Sequence, residues 1–144
     1  MLKKNKLFRI ALVLIAFGII SGFGTYLYVF HKPHRNIAKE KPSYILIDQE
    51  LYDEFNANEE MAYQKYGNKV IQLKGKVVEF SKTDSTANAI LLDEFSGISC
   101  SFDYSNIDQS KLSNIETGSD ITLKGKVDGF DMIMGVVLTR CVPI

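Results

Sequence analysis

Two cysteines, two histidines and a surplus of carboxylates beyond residue 42 are the groups in this 144-residue chain that could hold a metal, attack a carbonyl or move a proton. Their spacing argues against each use. His31 and His34 form an H-x-x-H pair, but in a proline-containing stretch that lacks the third and fourth ligands a zinc site needs, so no metal is expected. From residue 43 onward there is no histidine and one arginine, Arg140. This removes the commonest general base and leaves too few cations to clamp a transferring phosphoryl group. No glycine-rich phosphate loop, nucleophile elbow or Cys/His quartet occurs. Glu50, Asp53 and Glu54 sit at the start of a helical pattern, where carboxylates offset the helix dipole, and they lack the spacing of a calcium loop. The inventory predicts a protein that is not an enzyme and carries no cofactor.

Charge and hydropathy divide the chain. Residues 1–42 hold eight Lys/Arg against one Glu, a charge of +7, and residues 43–144 hold nine against sixteen Asp/Glu, a charge of −7. Between the basic clusters lie 21 uncharged residues, Ile10 to Phe30, about 31 Å as a helix and enough to cross a bilayer. Lys3, Lys4, Lys6 and Arg9 precede this run; His31, Lys32, His34 and Arg35 follow it, so the positive-inside rule gives a weak orientation. An uncleaved anchor is favoured over a cleaved export signal, because the apolar stretch continues past the small-residue site at Gly22-Phe23-Gly24. Gly18 and Gly22 form G-x-x-x-G, a pattern that permits a homodimer through close helix approach, although glycine is common in membrane helices. Residues 31–47, with Pro33 and Pro42 and few groups to bury, read as a linker.

The soluble part, residues 48–144, begins with an amphipathic helix. From Asp48 to Tyr66 the residues Leu51, Phe55, Asn58, Ala62 and Tyr66 share one face, with Asp48 as N-cap and Gly67-Asn68 as a left-handed stop. Next comes a phrase that the chain states twice: I-Q-L-K-G-K-V-V-E-F over Ile71–Phe80 and I-T-L-K-G-K-V-D-G-F over Ile121–Phe130. In each copy the alternation buries the Ile, the Leu and the following Val and turns lysines outward, and the glycine predicts a bulge or sharp bend. Between the copies lie a strand over 87–93, a turn at Glu94-Phe95-Ser96-Gly97, a strand over 98–103 and a short helix within 104–116 that Gly118 ends. A last strand spans 133–142.

Five strands with a helix between the third and fourth is the order of an OB-fold barrel, a mainly β architecture. In that order the third and fifth strands are neighbours, so Cys100 and Cys141 either form a disulfide, worth about 3 to 4 kcal/mol by loop entropy, or remain two buried thiols. Cys141 breaks the alternation with Leu138 and Val142, and a bulge near Arg140 would restore it. Ligands of such barrels bind across strands two and three and the adjoining loops, where Phe80, Phe95, Tyr104 and Phe130 are the candidate stacking residues. Lys74, Lys76, Lys124 and Lys126 form a stripe off that face, and the acidic domain disfavours nucleic acid.

The runs N-E-E-M-A-Y-Q-K-Y-G-N-K-V-I-Q-L-K-G-K-V, I-S-C-S-F, G-S-D-I-T-L-K-G-K-V and T-R-C-V resemble the tRNA_anti-like family of bacterial OB-fold proteins, over residues 48–144. The resemblance implies an OB-fold behind an export signal or membrane anchor and carries over no catalytic residue. The expected protein is a single-pass, non-catalytic binding module of the cell envelope. It is anchored in the cytoplasmic membrane through residues 10–30, its soluble domain is periplasmic or extracellular, and its partner is an envelope protein or glycan. Single-stranded nucleic acid or oligosaccharide is the alternative ligand.

Overall fold

The two copies of the repeated phrase lie side by side in the computed structural model, which describes residues 2–31, 35–93, 97–105 and 107–144. They fall within β2 (Val70–Lys82) and β5 (Asp120–Asp131) and pair antiparallel about Leu73 opposite Leu123. Ile71 therefore faces Gly125, and Gly75 faces Ile121. The phrase is self-complementary: its bulky first residue meets the glycine that is the fifth residue of the other copy. Cross-strand neighbours on one face come close enough that a large residue opposite a glycine fills the layer without crowding it.

The remaining strands complete a barrel. β3 (Thr86–Leu91), β4 (Ile98–Asp103) and β6 (Gly135–Pro143) join the first two in the order β2-β3-β4-β6-β5, and β5 returns to β2. Within the barrel β2 serves two neighbours, pairing with β5 over its first half and with β3 from Val77 onward. Leu73, Val77, Ala89, Leu91, Ile98, Phe102, Leu123, Val127 and Leu138 fill the interior. This is the five-stranded OB arrangement that the element order predicts, with α4 (Gln109–Leu112) between β4 and β5 and its Leu112 in the core.

Local details depart from the sequence reading, each for a physical reason. The irregularity in β2 falls between Val77 and Glu79, not at Gly75, where pairing with β5 is regular. Gly75 instead makes room for Asp48, whose Oδ2 lies 2.6 Å from where a Cβ would stand and accepts the Lys76 N–H at 3.2 Å. Gly125 does sit at a register shift against β6. The expected bulge near Arg140 is present: two β5 steps, Lys126 to Lys124, span three on β6, Thr139 to Val142, and Arg140 adopts a φ of 53°. That extra residue brings Cys141 into the barrel core with Leu138, while Val142, expected inside as well, faces the other way and is buried in a separate cluster with Ile37 and Val70.

The helix read over 48–66 is two helices. α2 (Asp48–Ala57) and α3 (Glu59–Tyr66) break at Asn58, which is extended and whose Oδ1 accepts the Met61 N–H at 3.0 Å. An asparagine side chain competes with the helix ladder and favours a cap, which the 3.6-residue period alone conceals. Leu51, Phe55, Ala62 and Tyr66 are buried as expected, whereas Asn58 is exposed. The helix begins after Ile47, so Asp48 is its first residue and not its cap.

Residues 36–47 are not linker. Tyr44–Ile47 forms β1, which pairs parallel with β2 from Tyr44 opposite Ile71 to Ile47 opposite Lys74. Upstream, Ile37 is buried with Val70 and Val142, and Lys124 Nζ donates to the carbonyls of Ala38 at 2.6 Å and Glu40 at 3.1 Å. Backbone contacts accordingly divide the chain at residue 35, into a unit of residues 1–35 and one of residues 36–144.

The first unit is α1 (Leu2–Phe30). Its segment Asn5–Phe30 is long and apolar enough to cross a membrane, and its side chains are exposed along that length. Exposed apolar residues on every side suit a helix whose solvent is lipid, and the same length and composition also belong to an export signal. The positions where Gly18 and Gly22 lack a Cβ are open.

Candidate ligand-binding face

Alternation along β3 and β4 points Ala87, Ala89, Leu91, Ile98, Cys100 and Phe102 into the core, which leaves their neighbours outside. The outward residues meet in cross-strand pairs: Thr86 opposite Asp103, Asn88 opposite Ser101, Ile90 opposite Ser99. Glu79 of β2 stands opposite Ile90, and Ser81 opposite Asn88. The result is a shallow surface of hydroxyls, amide and carboxylate around Ile90, with no lysine or arginine among the three pairs.

Two loops bound this surface. The β2–β3 loop is knit by Thr83, whose Oγ1 donates to the Thr86 carbonyl at 2.9 Å and accepts the Thr86 N–H at 3.2 Å. At the other side Asp131 Oδ1 accepts the N–H groups of Ile133 at 2.7 Å and Met134 at 3.0 Å. Those two donors hold the Asp131 carboxyl below its usual range. The turn they close presents Met132, Ile133 and Met134 at 96%, 82% and 51% exposure. Gly135, at φ 68°, and Gly97 let the base of this turn tuck against the start of β4, where the Val136 N–H donates to the Gly97 carbonyl at 3.1 Å. A cavity of about 200 Å³ opens there, lined by Ile90, Gly97, Ser99, Ile133 and Met134.

Of the aromatic residues singled out from sequence, the three that are described, Phe80, Tyr104 and Phe130, pack against the core and do not form a platform on this face. Phe130 stacks on Phe55 of α2 with ring centroids 6.1 Å apart and planes 8° from parallel, and it packs on the core. Phe80, opposite buried Ala89, and Tyr104 also pack on the core while partly exposed. Phe80 and Phe130 look like loop residues by sequence, but β2 and β5 run on to Lys82 and Asp131 and carry them, whereas Tyr104 directly follows β4; all three lie against the core. Phe95 lies outside the described residues, as does His34. Reasoning from alternation missed Met132-Ile133-Met134 because Ile133 was read as the first residue of a strand. The pattern D-M-I-M-G held the signal: an aspartate that caps the turn and a glycine at its end.

Nor do other groups gather into reactive chemistry. The basic stripe is largely engaged: Lys124 holds the segment before β1, Lys126 pairs with Asp128 at 2.7 Å, and Lys76 stands opposite Asp120. Glu54 receives Lys65 at 2.8 Å and the Tyr66 hydroxyl at 2.8 Å, a lock between α2 and α3 in which Lys65 holds the Glu54 carboxyl below its usual range. Cys100 and Cys141 are free, fully buried thiols. They share a hydrogen bond which, with burial, pushes the Cys100 thiol well above its ordinary range. Among the described residues no cluster of three His, Cys, Asp or Glu could hold a metal.

A closed barrel of this order, with its ligand face outside the second and third barrel strands, defines an OB-fold protein. The model of the tRNA_anti-like family matches residues 1–142, and the chain belongs to that family. The match extends upstream of the resemblance read from sequence and takes in α1 and β1. Among solved structures the chain is similar to a "putative nucleic acid-binding lipoprotein" of Klebsiella pneumoniae, with 15% identity, a TM-score of 0.56, and coverage of 78% of this chain and 99% of that one. It is also similar to a "putative aspartyl-tRNA synthetase" of Leishmania major, with 12% identity, a TM-score of 0.49, and coverage of 78% of this chain and 22% of that one. No curated protein matches the chain.

Proposed function

We propose that this protein is a membrane-anchored, non-catalytic binding module of the bacterial cell envelope that engages its ligand on the outer face of β3 and β4. One observation carries the reading: an OB barrel whose β3–β4 face is bounded by two hydrogen-bonded loops, one of them closed by the Asp131 carboxylate, while the Glu54–Lys65 pair and the two thiols lie elsewhere, as a structural lock and as core. The apolar α1 supports anchoring in the cytoplasmic membrane with one pass. A domain placed near the bilayer by such an anchor has a raised effective concentration towards envelope partners, which makes modest intrinsic affinity sufficient.

A second reading has one observation in its favour, the nucleic-acid role in the name of the Klebsiella neighbour, whose fold this chain shares. The charge opposes it. Affinity for phosphate backbones comes chiefly from lysine and arginine contacts, and the outward pairs of β3 and β4 supply none. Titrating the full chain in detergent with single-stranded oligonucleotide across a range of salt tests the choice: no binding at physiological salt is expected, and tight, steeply salt-dependent binding would select the second reading. Protease added to intact spheroplasts is expected to digest residues 36–144, and full protection would place the domain on the cytoplasmic side instead.

A further inference from the structure

The face carries a chemical preference beyond its location, and the inference that follows rests on the binding-module reading. Three features coincide there. The cavity of about 200 Å³ is somewhat larger than one of about 150 Å³ that accepts benzene, so it suits a single aromatic ring or branched aliphatic group. Its wall is partly the Met132-Ile133-Met134 turn, an exposed apolar cluster whose two methionines can adjust to the shape of an apolar partner. Carboxylates stand along this face: Glu79 opposite Ile90 at the cavity, Asp131 at the base of the turn, and, four residues further along the strands, Asp103 opposite Thr86, with Asp84 in the β2–β3 loop beyond it. Lys82, at the end of β2, stands with its Nζ over the Phe80 ring at 5.4 Å from the centroid.

An apolar socket beside Glu79, on a strand face with further carboxylates along its length, complements an apolar side chain flanked by cations. It repels phosphate-rich chains, and among the described residues it presents no exposed aromatic platform of the kind that stacks on sugar rings. We propose that this face binds an extended, lysine- or arginine-bearing peptide segment of a partner protein, with one apolar side chain seated between Ile90, Ser99 and the Met134 turn. The socket supplies most of the affinity through buried apolar area, and the carboxylates supply orientation and rate of encounter.

The test uses the full chain in detergent and a short fluorescent peptide with one phenylalanine flanked by lysines. The comparison probes are its Phe-to-Ala form, a form with glutamates in place of the lysines, a chitooligosaccharide and single-stranded oligonucleotide. The lysine peptide is expected to bind and to weaken as salt rises. The alanine form should bind about tenfold more weakly, the effect of losing roughly one ring's burial. The glutamate form should not bind. Ser99→Phe, which fills the socket from an outward strand position, should weaken the lysine peptide by a similar factor, and Glu79→Lys should reduce its association rate. Unfolding midpoints matching the parent verify that both variants fold. Equal binding of the lysine and glutamate forms, or indifference to Ser99→Phe, would overturn the proposal. Binding of the sugar or the oligonucleotide at this face in place of the peptide would also overturn it, while leaving the binding module standing. The module reading itself fails only if the face contacts no macromolecule in the cell.

Discussion

Gly125→Ala should destabilise the barrel, and Cys141→Ala should rescue it. A Cβ on residue 125 would stand 2.7 Å from Cys141 Sγ and 3.4 Å from Leu138 Cβ. Both neighbours are fully buried, so the methyl group cannot turn to solvent and the strands must part. Overpacking of this kind costs about 1 to 3 kcal/mol, and the lower chain entropy of unfolded alanine returns about 0.4 to 1, leaving a net loss of about 1 to 2 kcal/mol. Cys141→Ala alone removes a methyl-sized group from the core and should cost about 1 kcal/mol. In the double variant the new methyl occupies the volume that Sγ vacates, so the two losses should largely cancel, a coupling of roughly 1 to 3 kcal/mol. Thermal unfolding of the full chain in detergent, followed by far-ultraviolet circular dichroism, resolves these changes as shifts of about 4 to 8 °C per kcal/mol for a domain of this size. Strictly additive losses would refute the packing argument and with it the reason for a glycine at this place in the repeat.

Other expectations address separate parts of the structure. Ile37→Ala should cost about 2 kcal/mol, since the side chain is only 3% exposed against Val70 and Val142; an unchanged urea midpoint would return residues 36–43 to the status of linker. Cys100 and Cys141 should resist iodoacetamide in the native protein at neutral pH and both react in urea, because both side chains are fully buried and out of reach of the reagent, and the hydrogen bond with Cys141 together with burial disfavours the Cys100 thiolate. Rapid native labelling would contradict the placement of Cys141 by the Arg140 bulge, and loss of two hydrogens from the intact mass would reveal a disulfide. The Glu54 carboxyl is held below its usual range by Lys65, so its contribution to stability is present above the ordinary carboxylate range and lost as pH falls through the lowered value. Glu54→Gln should therefore flatten the acid side of the stability profile, and an unchanged acid limb would show that the Lys65 contact is screened by solvent.

The barrel was legible because its pattern is redundant. Both copies of the repeated phrase alternate cleanly, the strand over 98–103 has the bounds expected, and a single parity fault at Cys141 pointed to the bulge at Arg140. What stayed hidden depends on contacts between distant residues. Nothing local marks Tyr44–Ile47 as a strand; it becomes one because β2 offers it an edge. Asn58 fits a helical period, and only its side-chain bond to Met61 turns that position into a break. Phe130 reads as a loop aromatic until Phe55 arrives from α2 to stack on it. The proposed ligand face lies on the stretch between the repeats, as the fold class implies, but its apolar rim is hidden in the sequence, because Ile133 satisfies a strand pattern until Asp131 folds the turn beneath it.

Photo-crosslinking in living cells tests the central claim most directly. A benzoylphenylalanine at Ser101, outward on β4, is compared with one at Gln72, on the β2–β5 side of the barrel. An adduct with one envelope macromolecule from Ser101 and none from Gln72 is the predicted result. Absence of any adduct from Ser101, with Gln72 capturing the partner or neither doing so, would contradict the assignment of function to the β3–β4 face.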